Sequence, residues 1–256
     1  MTTGLLPELL LQNPMAVDWV SRGVSAAIRA LFKQVERLEA RVRVEPVAKL
    51  LQGRIDSFEL LGQHLQMYNG LRLSALELFC NAVAIDFSQI WQGKIKLRQP
   101  VQATMRVVLS EADLAQSFNT PFVLNRLALV GQDGKSLSFH HVRIGITPAR
   151  RLELQANVEQ GEARSLRVGF SAQVEVVEQR RIRFTDPMFV GDTEEELALS
   201  RALVDCLNGL LDLDRLALRG TELRVDRVNL QPRQMVLYGS ATLAHFPTRQ
   251  PQWERA

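Results

Sequence analysis

The sequence predicts an α+β fold in which two long amphipathic helices accompany many antiparallel strands. Three observations carry that expectation. Apolar residues step by three and four over 16–42 and again over 193–213, whereas between those segments the period falls to two. An Asn69-Gly70 pair stands between two alternating runs, which is a strong hairpin signal. Long helices are also few relative to the strand-patterned length, so segregated helices and sheet are expected rather than alternating βαβ units.

The first helix is read from the apolar stripe Trp19, Val20, Gly23, Val24, Ala27, Ile28, Leu31, Phe32, Val35 and Leu38, with Asp18, Arg22, Arg29, Lys33 and Glu36 opposite. It is expected to begin near Pro14 and to end before Pro46. Strands follow to about Leu109, in which Leu65 and Met67, Leu71 and Leu73, Leu76, Leu78 and Cys80, then Val83, Ile85 and Phe87 alternate with polar or small neighbours. Val101, Ala103, Met105 and Val107 continue the pattern. Ser110, with Glu111 and Asp113, signals the start of a short helix that Pro121 should close. Further strands are read in 127–130, 137–146, 151–159 and 165–185, the last alternating Leu166, Val168, Phe170, Ala172, Val174 and Val176 as the longest clean run. Thr193 with Glu196 fits a capping box for the second helix, whose stripe is Leu199, Leu203, Cys206, Leu210 and Leu213. Two strands, 221–231 and 234–246, close the chain.

With 256 residues and 46% hydrophobic content, the chain can bury a sizeable core. Its 31 Lys+Arg against 28 Asp+Glu are interspersed, which argues against a nucleic-acid footprint. Two cysteines, Cys80 and Cys206, lie in apolar patterns and read as small buried hydrophobes rather than as a disulfide or zinc pair. No signal peptide and no run long enough to span a bilayer is found, so a cytoplasmic protein, peripheral to a membrane at most, is expected. Residues 1–14 read as a flexible or interfacial leader, 15–248 as one domain and 249–256 as a tail.

Catalytic signals are sparse. The stretch 131–136, GQDGKS, ends like a phosphate-binding loop but has Leu129 where the motif needs glycine and a strand pattern where it needs a helix. His140 and His141 are adjacent, so on a regular strand they point to opposite faces and cannot share a metal without a bulge. Acidic residues at 192–196 are explained by helix capping. No nucleophile elbow or dinucleotide fingerprint occurs, and no cofactor or metal is expected. Basic residues gather at Arg41, Arg43, Lys49 and Arg54 and at Lys94, Lys96 and Arg98. Arg41 with Arg43, and Lys94 with Lys96 and Arg98, are two apart and so give one cationic strand face each, which reads first as an ordinary solvated face and second as a patch for a lipid headgroup or membrane surface.

Three blocks, LLQGRIDSFEL at 50–60, VLSEADL at 108–114 and LLDLDRLALRG at 210–220, occur in that order within longer stretches that resemble the LmeA-like phospholipid-binding family, formerly a domain of unknown function, in its cyanobacterial-type members. The resemblance runs from about 15 to 248. It implies a fold like one module of the tubular lipid-binding (TULIP) proteins: a strongly curved antiparallel sheet wrapped around a long amphipathic helix, with a second long helix and an apolar tunnel between them. It implies, further, non-enzymatic binding or transfer of a phospholipid or similar amphiphile. On that reading Trp19, Val24, Ile28, Leu31, Phe32 and Val35 of the first helix, Leu203, Leu207 and Leu210 of the second, and Leu65, Met67 and Val107 of the strands line the tunnel. Arg41 and Arg43 would favour an anionic headgroup or membrane surface. The alternatives are a scaffolding protein with a filled core and an unrecognised hydrolase built around His140, His141 or an acidic pair.

Overall fold

Most of the alternating runs become strands of two antiparallel sheets in the structure, a computed structural model that describes residues 14–46, 48–86, 96–127, 137–160, 165–217 and 220–245. The strands are β1 (Gln34–Arg43), β2 (Arg54–Gln66), β3 (Arg72–Asp86), β4 (Lys96–Leu97), β5 (Val101–Ser110), β6 (Leu137–Ile146), β7 (Leu152–Gln160), β8 (Ser165–Val177), β9 (Arg181–Val190), β10 (Thr221–Gln231) and β11 (Gln234–Leu243). A seven-stranded sheet has the order β1-β2-β3-β5-β11-β10, with β4 paired to β3, and a four-stranded sheet runs β6-β7-β8-β9. Helices are α1 (Pro14–Arg29), α2 (Ala48–Leu51), α3 (Glu111–Phe118), α4 (Pro121–Leu127), α5 (Glu194–Leu210) and α6 (Leu213–Leu216).

This is the expected α+β class with a different plan. Neither sheet is strongly curled, and among the described residues no long helix is found wrapped by one. The first helix stops at Arg29, and residues 34–43, expected as its second half, form β1 paired to β2. The error has a physical source. Val35 pairs with Leu65 and Leu38 with Gly62, so inward residues are three apart on both strands where His64 takes a left-handed φ of 47°. That kink turns a period of two into a local step of three, which imitates a helix.

The Asn69-Gly70 hairpin forms as the sequence predicts. Gly70 sits at φ 91°, Gly70 N–H donates to Met67 O at 3.0 Å and Leu71 N–H to Asn69 Oδ1 at 3.1 Å. Ser110 and Asp113 make a full capping box for α3, and Thr193 and Glu196 another for α5. Pro121 does not merely close α3; it opens α4, where a missing N–H costs nothing. The long run at 165–185 divides into β8 and β9 at a hairpin whose Glu178 and Gln179 both have positive φ, and β3, at 15 residues, is longer than either. The strand expected at 127–130 begins with Leu127 still in α4; its remainder and the 131–136 turn lie outside the described residues.

Packing follows from alternation. In the four-stranded sheet, Leu152, Leu154, Ala156 and Val158 of β7 and Leu166, Val168, Phe170 and Ala172 of β8 are all buried, and the rings of Phe170 and Phe184 meet edge-on at 5.2 Å. Helix α5 lies on β8 and β9 with Leu203, Val204 and Leu207 buried. Helix α1 lies against β1. One contiguous hydrophobic core includes residues of both sheets and both long helices.

Candidate functional site

The register of the seven-stranded sheet separates its two faces. Leu38, Gly62, Leu76, Val107, Leu237 and Val228 are successive cross-strand partners on one face, and Ala40, Leu60, Leu78, Met105, Gly239 and Val225 form the next row. The row between them on the other face reads Glu39, Leu61, Glu77, Arg106, Tyr238 and Arg227. There Arg106 pairs with Glu77 and the Arg227 guanidinium lies 4.3 Å from the Tyr238 ring centre. Over these rows one face is apolar and the other mainly polar, although the second also carries exposed Phe79 and, one row on, buried Val108 and Val236.

Burial varies across the apolar face. Leu60, Val107 and Val225 are buried, whereas Phe58, Leu76 and Leu78, on the inner strands β2 and β3, are only half-buried. Cys80 is buried next to them, and burial pushes its thiol up to about 11, so it stays protonated at neutral pH.

The residues expected to line a tunnel fall into two groups. Val24, Ile28 and Phe32 are buried where α1 and its following turn meet β1, with Leu31 and Val35 half-buried beside them. Leu65 is buried and Met67 half-buried at the hairpin end of β2, and Val107 lies in the apolar row of β5. The second group, Leu203, Leu207 and Leu210, belongs to α5, which packs on the four-stranded sheet. The side chain of Trp19 lies outside the described ones.

Arg41 and Arg43 project from the polar side of β1, between buried Ala40, Val42 and Val44. Arg41 is 3.4 Å from Glu39 and 3.6 Å from Glu59, so much of its charge is locally balanced. The two basic sets meet at one end of the sheet: Arg43 pairs with Ser57, Arg54 with Ala84 and Lys96 with Asp86, and the Arg98 guanidinium approaches Gly53. Lys49 there is held by Asp56 at 2.8 Å. Lys94 lies outside the described residues.

Several titratable side chains are tied up in the fold's own hydrogen bonds and ion pairs. Asp113 receives hydrogen bonds from Ser110 and Ser74, which ties its carboxylate to capping. His64 lies 3.0 Å from Glu36, both well exposed. Among the described residues no group of three His, Cys, Asp or Glu side chains could hold a metal ion, and no helix is long and apolar enough to cross a membrane.

An open cleft of about 510 Å³ lies elsewhere, beside β6, walled by Asn119 and Leu124 on one side and by residues 139–143 on the other. None of the residues expected to line a tunnel borders it. The sequence singles out His140 and His141 only for a hydrolase alternative and expects them on opposite faces, because the bulge that brings both to this cleft has no residue signature.

These features define a class: a mixed α+β protein whose antiparallel sheet presents one apolar face. The chain belongs to the LmeA-like phospholipid-binding family, whose model matches residues 13–240. That family is described by binding a phospholipid rather than by a reaction. Neither the curated proteins nor the solved structures contain a match to the chain.

Proposed function

We propose that this protein holds a phospholipid or similar amphiphile, without catalysing a reaction, by laying its acyl chains along the apolar face of the seven-stranded sheet beside α1. The observation that carries the reading is the half-burial of Phe58, Leu76 and Leu78 on inner strands of the apolar face, where Leu60, Met105 and Val107 beside them are buried; Leu38 and Val228, towards its edges, are half-buried too. Large apolar side chains in such a place gain from any further cover, and an acyl chain supplies roughly 0.8 kcal/mol for each CH₂ removed from water. Val24, Ile28, Leu31, Phe32 and Val35 form the margin of the seat, and Leu65, Met67 and Val107 its floor. Family membership supports the ligand class. The cationic end of the sheet, with Arg43, Arg54, Lys96 and Arg98, suits peripheral contact with an anionic membrane, from which a lipid is taken up or to which it is passed.

Native mass spectrometry and lipid extraction of the purified protein test the reading. Wild-type protein is expected to carry phospholipid or to acquire it from liposomes, and the double substitution Leu76→Asp, Leu78→Asp is expected to lose that capacity while remaining folded. Wild-type protein that neither carries lipid nor acquires any would leave a filled, ligand-free scaffold as the reading.

A further inference from the structure

The cleft beside β6 is on the other sheet from the acyl seat and has a different chemistry. An extra residue in β6 makes it: the register to β7 shifts between His140, opposite Asn157, and Arg143, opposite Gln155, and His141 stands at φ 53°. A regular strand would send His140 and His141 to opposite faces. The bulge instead leaves His140, His141 and Arg143 all exposed while Phe139 and Val142 are buried beneath them. Asn119, the residue that ends α3, fixes this backbone by accepting from Val142 N–H at 3.1 Å and donating to Val142 O at 2.9 Å.

We propose that this cleft is a phosphate-binding site, taking the phosphate of a phosphomonoester or phosphodiester. The guanidinium of Arg143 and the imidazole of His141 make no hydrogen bond or ion pair among the described residues. His140 Nε2 is 3.5 Å from Glu159, whose side chain is 61% exposed, so that carboxylate is a weak competitor for the histidine. Three residues whose side chains can donate to oxygen therefore border one cleft. An arginine fork matches the geometry of phosphate oxygens, and the imidazole N–H groups supply further donors. Leu124 and Phe139 add apolar surface to the wall, against which the carbon part of a phosphoester can rest. A volume of about 510 Å³ admits a phosphate with an attached glycerol or similar group. The bulge and the Asn119 clasp hold the donors in place before the ligand arrives, which lowers the cost of binding.

The phosphate belongs either to a lipid headgroup or to a soluble metabolite, and one experiment separates them. The full chain, ¹⁵N-labelled, is titrated with inorganic phosphate and with glycerol 3-phosphate, and is sedimented with phosphatidylcholine vesicles with or without phosphatidic acid. Saturable shifts of the amides of 139–143 with either soluble ligand, weakened about tenfold or more by Arg143→Ala and partly restored by Arg143→Lys, support the site and a soluble source. Unshifted amides, combined with retention on phosphatidic acid vesicles that Arg143→Ala abolishes, support the site and a headgroup source. The proposal is overturned if no ligand shifts 139–143 and retention is the same for wild type and Arg143→Ala, or if shifts occur that neither Arg143→Ala nor His141→Asn weakens. Lipid carried in the acyl seat is measured separately on the same variants, so failure of one site is distinguishable from failure of the other.

Discussion

Asp113 joins three pieces of the fold through one carboxylate. Ser110 donates from its backbone N–H at 3.0 Å and its hydroxyl at 2.6 Å, and Ser74 donates from β3. Burial pushes the carboxyl up, but the hydrogen bonds of Ser110 and Ser74, with the nearby His64, outweigh it, and the group is held below the ordinary aspartate value. A carboxyl whose folded value is depressed contributes stability above its unfolded value of about 3.9, and that contribution is lost as pH falls through the folded value. Urea midpoints measured from neutral to strongly acid solution are therefore expected to fall more steeply for wild type than for Asp113→Asn, which starts lower at neutral pH. Parallel curves would show that the carboxylate contributes nothing beyond its shape. The capping half of this role is legible in the sequence, because Ser-x-x-Asp is a local pattern; the bond to Ser74, 39 residues away, has no local signal.

At the scale of elements, the kinks decide which parts of the fold can be read. The α5 helix is legible because its capping box and its three-and-four spacing agree. Helix α1 is legible at its start and misread at its end, because the kink at His64 gives Val35 and Leu38 a helical spacing within a strand. The same device recurs at Ala82, φ 51°, where inward residues pass from Cys80 to Val83. The hairpin between β8 and β9 was hidden for another reason: Glu178 and Gln179 adopt the positive φ that turn chemistry assigns to Asn and Gly. Close approach of strands is a related constraint. A Cβ on Gly239 would fall 1.9 Å from Arg224 O in β10, so β11 and β10 cannot keep their spacing around a side chain there. Gly239→Ala is expected to cost about 1–3 kcal/mol in chemical denaturation, whereas Ser240→Ala next to it should stay within about 0.5 kcal/mol. Equal effects of the two would show that the sheet relaxes around the new methyl.

For the molecule as a whole, the continuity of the core across both sheets matters more than the boundaries of any element. Buried residues of β5 and of β8 belong to one cluster, so the two sheets are expected to unfold together. Hydrogen exchange should find the slowest amides of β5 and β8 opening with the same free energy; a lower value for β8 would divide the molecule into two units. Alternation alone announced the amount of sheet but not its division in two, since which strands pair is a property of long-range register. For the same reason the sequence expects α1 and α5 beside a single sheet, whereas α1 packs on β1 and α5 on β8 and β9. The asparagines that clasp the outer strands of the smaller sheet have a consequence for company. Asn119 occupies both backbone groups of Val142 in β6, and Asn208 does the same for Phe184 in β9, its Oδ1 accepting at 2.8 Å and its Nδ2 donating at 3.3 Å. Each amide imitates the next strand, so at these points the sheet offers no template on which another chain could add itself. Strand-by-strand growth is thereby interrupted at one point on each border.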